Sequence, residues 1–72
     1  MYNYSKLRGK IREVFHTEAA FAHALKLSKP SLSAKLNNVV GFSQIEMEQA
    51  CHLLRINPSE LGLYFLTREL EP

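Results

Sequence analysis

The sequence predicts an all-α domain, a compact bundle of five short helices, on three observations. Apolar side chains recur at helical spacing in successive windows, a Ser, Thr or Asn stands where each window opens, and prolines fall in first turns where a missing N–H is harmless. The three glycines and three prolines are spread through the chain and form no linker, repeat or low-complexity tract. One domain over residues 1–72 follows, since independent domains usually need more than about 50 residues.

The first helix follows an Asn3 cap and places Tyr4, Leu7, Ile11, Val14 and Phe15 on one side. Lys6, Arg8, Lys10 and Arg12 occupy the remaining arc, and Gly9 falls opposite the apolar stripe. Thr17 caps a second, two-turn helix with Glu18 near its positive end and Phe21, Ala22 and Leu25 inward. Ser28 caps a third helix over residues 29–38, with Pro30 in its first turn and Leu32 and Leu36 as its inner face. Ser43 and Glu46 have capping-box spacing and are followed by Met47, Ala50, Cys51 and Leu54 at i, i+3, i+4 and i+7. Asn57, Pro58 and Glu60 open a fifth helix bearing Leu61, Tyr64 and Phe65, and the tail over 67–72 carries no clear signal.

Composition narrows the function. A chain of 72 residues has little interior to give to a catalytic cleft, because it buries only about 60% of the surface that its unfolded form exposes. The net charge is only +2, yet residues 1–40 carry seven Lys and Arg against two Glu, and residues 41–72 carry two Arg against five Glu. That split predicts one surface for a polyanion and another for protein. The histidines His16, His23 and His52 include no pair at i, i+4 spacing, there is no Asp, and the single Cys51 sits on an apolar stripe, so neither a metal site nor a catalytic constellation is expected. No cofactor and no small-molecule substrate are implied. A lone cysteine and the lack of a charged leader point to the cytoplasm. The longest uncharged apolar run, Leu61 to Leu66, is far short of the roughly 20 residues that cross a bilayer, so no membrane partner is expected.

The stretch from Thr17 to Ser28, with Ala22, Leu25 and Leu27, followed by Pro30-Ser31-Leu32-Ser33-Ala34-Lys35-Leu36, resembles the lambda-repressor-like helix-turn-helix family of phage repressors and Cro proteins. The resemblance extends over residues 4–66 and is greatest to the small Cro-like or modulator-of-repression regulators of temperate phages. It implies a helix-turn-helix over about 17–38 whose second helix enters the major groove of operator DNA. Two positions depart from the pattern: Lys26 and Arg55 stand where the family commonly has glycine with positive φ.

Projection of the third helix at 100° per residue puts Pro30, Ala34 and Asn37 outward, with Lys29, Ser31, Ser33 and Lys35 on the flanks. The resemblance implies base-approaching roles for Lys29, Pro30, Ser33, Ala34 and Asn37, with Ser28 close to a phosphate, and Ser31 counts among the DNA-binding residues on the flank. Such a set reads bases sparsely, since only Lys29 and Asn37 have strong base partners. Lys26, Lys29 and Lys35 are the local cations, and neutralising three or four phosphates predicts a log–log salt slope of about −3 to −4. A weak reader of this kind is expected to act as a dimer or with a protein partner. Leu61, Tyr64, Phe65 and Leu66 form the expected partner patch, for a second copy or for a phage repressor. Two functions therefore stand: a Cro-like operator-binding regulator of a lysis/lysogeny switch in a bacterial host, and an antirepressor that works by protein contact alone.

Overall fold

Short-range hydrogen bonds set the element boundaries in the computed structural model, which describes residues 1–69. The helices are α1 (Ser5–Phe15), α2 (Glu18–Ala24), α3 (Lys29–Leu36), α4 (Gln44–Leu54) and α5 (Leu61–Phe65), the last continuing directly from a 3₁₀ turn over Pro58–Glu60. Thr17 Oγ1 accepts from the Ala20 N–H at 3.1 Å, and Ser28 Oγ accepts from the Ser31 N–H at 3.2 Å. Ser43 and Glu46 form a reciprocal box, with the Glu46 N–H donating to Ser43 Oγ at 3.1 Å and the Ser43 N–H donating to Glu46 Oε1 at 2.9 Å. Asn3 Oδ1 accepts from the Ser5 N–H at 2.9 Å, one residue outside the N-cap, which is Tyr4.

Two expected spans shorten for local reasons. The third helix ends at Leu36 rather than at 38, because Asn38 turns into the left-handed region at φ 63° and the chain closes with a Val39 N–H to Ala34 carbonyl bond of 2.8 Å. The fifth helix opens as 3₁₀ over Pro58–Glu60, where Asn57 Oδ1 accepts from the Ser59 N–H at 3.0 Å. Lys26 and Arg55 take positive φ, 62° and 57°, and each is followed by the same kind of closing bond, Leu27 to Ala22 and Ile56 to Cys51, both 2.8 Å. No glycine has positive φ. The left-handed positions of this chain are held by larger residues that tolerate the conformation at a cost.

α1 lies at the centre, packed against α2, α4 and α5, while α3 packs on α2. The core joins Leu7 and Ile11 of α1 to Phe21 and Ala22, Leu32 and Leu36, Ala50, Cys51 and Leu54, and Phe65. Val14, Phe15, Met47, Leu61 and Tyr64, expected inside, are half-buried around it. Phe42, in the loop between α3 and α4, meets Tyr4 and Phe65 edge to face at centroid distances of 5.5 and 5.1 Å and ties that loop to α1 and α5. The two chain ends pair: Tyr2 and Arg68 form an antiparallel bridge, with the Asn3 N–H donating to the Thr67 carbonyl at 2.8 Å. The Asn38 side chain brackets Tyr2 from the other side, accepting from its N–H at 2.9 Å and donating to its carbonyl at 3.0 Å. Of the expected tail, Thr67 to Glu69 is thus anchored on the N-terminus, and residues 70–72 lie outside the described residues. No helix among the described residues is long and apolar enough to cross a membrane.

Phe65 is 1% exposed, so Phe65→Ala should cost about 3–5 kcal/mol in urea unfolding; a loss below about 1 kcal/mol would show that the core closes without it. A Cβ added at Gly9 meets nothing within 4 Å, and Gly9→Ala should raise stability by about 0.5–1 kcal/mol, read as a higher melting temperature.

Candidate interaction face

The outer side of α3 and the loop that follows it form one surface, and the fold decides which of its side chains are free to meet a partner. Lys35 is not free. Its ammonium pairs with Glu46 Oε1 at 3.0 Å, donates to the Gly41 carbonyl at 3.0 Å and stands 5.8 Å from the Phe42 ring centroid, with only 13% of the side chain exposed. Asn37 is engaged on both ends of its amide: Oδ1 accepts from Arg8 at 3.1 Å, and Nδ2 donates to Ser33 Oγ at 3.2 Å. The same Arg8 guanidinium pairs with Glu18 at 2.6 Å and reaches the Leu36 carbonyl at 3.4 Å, so it fastens α1 to the start of α2 and the end of α3. Ser28 donates to Ser31 Oγ at 2.9 Å while it caps the helix.

Lys29, Pro30 and Ser31 are exposed and Ala34 is half-buried. Pro30, Ser31 and Ala34 line a shallow cleft of about 460 Å³ with Leu27, Val40, Lys35 and Glu46. Val40 of this lining is 50% exposed, and its chain neighbour Val39 and the Ile45 beside Glu46 in sequence are 73% and 67% exposed, three apolar side chains that sequence reasoning passed over. The Val39-Val40 pair beside a helix end was the available signal, but nothing local says that a loop valine faces outward. Lys26 lies apart from this face, on a separate cleft with Leu25, Glu48, His52 and Leu53 between α2 and α4.

The second expected patch divides. Phe65 closes the core, Leu61 and Tyr64 are half-buried with the Lys6 ammonium 5.4 Å from the Tyr64 centroid, and the exposed apolar atoms of this end belong to Leu63 and Leu66. Cys51 is buried, and burial, with a smaller effect of Glu48, pushes its thiol above the ordinary value, as befits a packing residue. Among the described residues no group of three His, Cys, Asp or Glu side chains is placed to hold a metal ion.

Five short helices around one small core, with a capped pair of helices carrying an apolar surface, are the architecture of a small phage regulator. The solution structure of the modulator of repression (MOR) of the temperate bacteriophage TP901-1 from Lactococcus lactis is similar to this chain, with a TM-score of 0.82 and 38% identity over 97% of this chain and 95% of that one. The chain belongs to the family described as Protein of unknown function (DUF739), which matches residues 1–68. No curated protein matches it significantly.

Burial opposes ionisation of Glu46, but the Ser43 N–H and the Lys35 ammonium outweigh it and hold the carboxyl below the ordinary 4.5. A lowered folded value means stability that is fully present above pH 4.5 and is lost as pH falls through that lower value. Glu46→Gln keeps the capping acceptor and loses the charge, so urea midpoints measured from about pH 6 to about pH 3 should fall less steeply in the variant than in the parent. Parallel profiles would remove Glu46 from the acid response.

Proposed function

We propose that the protein modulates repression in a temperate-phage lysis/lysogeny switch by binding the lysogenic repressor directly, through α3 and the loop behind it, with little base reading of its own. The similarity to the TP901-1 modulator of repression supports the switch and the regulatory role. The observation that carries the mode of action is that Lys35 is largely buried in its ion pair and the exposed Asn37 amide is hydrogen-bonded within the molecule at both ends, next to exposed or half-buried apolar side chains, Pro30, Ala34, Val39, Val40 and Ile45. Of the lysines and asparagine expected to meet bases on α3, Lys29 is exposed and makes no ion pair among the described residues, and base discrimination needs donors and acceptors presented in a groove. An apolar centre with a charged margin is instead the anatomy of a protein interface.

The Cro-like reading rests on the motif and on Lys29, Lys35 and Asn37; with Lys35 and Asn37 engaged, Lys29 and the exposed Lys26 are left, and such a site would neutralise few phosphates. Fluorescence anisotropy separates the two modes. The protein alone should bind switch-region and scrambled duplexes weakly and alike, with a log–log salt slope no steeper than about −2. Val40→Asp and Ile45→Asp should each weaken the repressor complex at least about tenfold with the circular dichroism unchanged, because each buries an unpaired charge at the interface. Tight, sequence-selective DNA binding that disappears in the Lys29→Ala, Asn37→Ala double variant would sink the protein-contact reading.

A further inference from the structure

A second concavity lies across the first turn of α3 from the apolar cleft. α1 and the starts of α2 and α3 enclose a groove of about 430 Å³ whose charged and titratable lining is Arg8, Arg12, His16, Glu18 and Lys29. Arg8 is neutralised by Glu18 at 2.6 Å and held by Asn37 and the Leu36 carbonyl. Among the described residues Arg12 and Lys29 make no ion pair, and both are exposed. The groove is therefore positive, with two cations directed to solvent and a neutral ion pair between their elements. Lys29 lines this groove and Pro30 lines the apolar cleft, so consecutive residues of α3 form the ridge between a basic hollow and an apolar one.

We propose that this groove seats an acidic segment of the protein partner, whose carboxylates meet Arg12 and Lys29 while neighbouring apolar side chains of the same segment enter the cleft beside Pro30, Ala34 and Val40. The assignment rests on the protein-contact reading and gives the partner's recognition segment a chemistry: amphipathic, apolar on one side and acidic on the other. A guanidinium takes a carboxylate by two parallel hydrogen bonds, and a lysine at the mouth of the same hollow adds a mobile charge. Phosphates would satisfy the cations equally well, but a nucleic-acid backbone has nothing to fill the apolar cleft, and thymine methyls are its sole apolar groups in the major groove. Charge complementarity of this kind governs encounter rate and partner choice more than final affinity.

The test uses the full-length protein and the purified lysogenic repressor of the same phage, titrated at low and at high salt. Arg12→Glu combined with Lys29→Glu should weaken the complex at least about tenfold at low salt, with the deficit shrinking at high salt as exposed charges are screened. Arg12→Lys with Lys29→Arg, which keeps the charge, should retain most of the affinity that the reversal loses, and circular dichroism should show all variants equally helical. If the charge reversal leaves repressor binding intact while Val40→Asp abolishes it, the acidic segment is overturned and the protein-contact reading survives. If neither change affects the repressor complex and the charge reversal instead removes DNA binding, the groove holds phosphate and both readings fail.

Discussion

The ion pair between Lys35 and Glu46 is the interaction on which the rest of the face depends. Glu46 closes the capping box at the start of α4 and also accepts from Lys35, so one carboxylate ties the start of one helix to the side of another. Lys35 in turn donates to the Gly41 carbonyl and lies near the Phe42 ring, which packs between Tyr4 and Phe65. The loop between α3 and α4 is thereby held at its α4 end, and the Val39 N–H to Ala34 carbonyl bond holds the other end, with Phe42 turned into the core and the two valines outside. Opposite-charge pairs at a surface contribute little stability on average. The larger effect here is positional: the pair withdraws a cation from the outer side of α3 and supports an apolar loop in its place.

Arg8 has a matching effect at the other end of the helix pair. By joining Glu18, Asn37 and the Leu36 carbonyl it neutralises the acid at the start of α2 and occupies the amide that a base would need. The two arrangements leave a surface whose free chemistry is apolar at the centre and basic at one margin. That distribution follows from a few contacts between helices, and it separates a resemblance to helix-turn-helix sequences from the ability to read a base sequence. The pattern places α3 outward, whereas the contacts decide what α3 can offer.

Much of the fold was legible in the sequence because it is written in short-range chemistry. Thr17, Ser28 and Ser43 cap their helices through bonds that span three residues, and the stripes of Leu7, Ile11, Leu32 and Leu36 face the core because helical spacing leaves them no other place. Lys26 and Arg55 were legible as left-handed positions from the glycine pattern of the resembled family. What escaped sequence reading depends on contacts between distant residues. Lys35 looks like a free flank cation until Glu46 is brought beside it, and Phe65 looks like part of an exposed patch until Phe42, itself packed on Tyr4, meets it. The pairing of Tyr2 with Arg68, bracketed by Asn38, joins three separated segments and leaves no periodic trace. The exposed Val39 and Val40 escaped because spacing describes helix faces and not loops, and Ile45, in the first turn of α4, lies off the stripe of Met47, Ala50, Cys51 and Leu54 that spacing picked out.

The central claim is that α3 and the loop behind it meet protein while the polar groups of α3 remain engaged within the molecule. Backbone and side-chain amide chemical shifts of the isotope-labelled protein, followed during separate titrations with the lysogenic repressor and with switch-region DNA, test it most directly. The account predicts that the repressor moves the signals of Ala34, Val39, Val40 and Ile45 at near-stoichiometric ratios, with the Asn37 side-chain amide still in its native environment. DNA should give only small, salt-sensitive shifts near Lys26 and Lys29. Large DNA-induced shifts of the Asn37 side chain and Lys35, with the loop valines unmoved by the repressor, would contradict it.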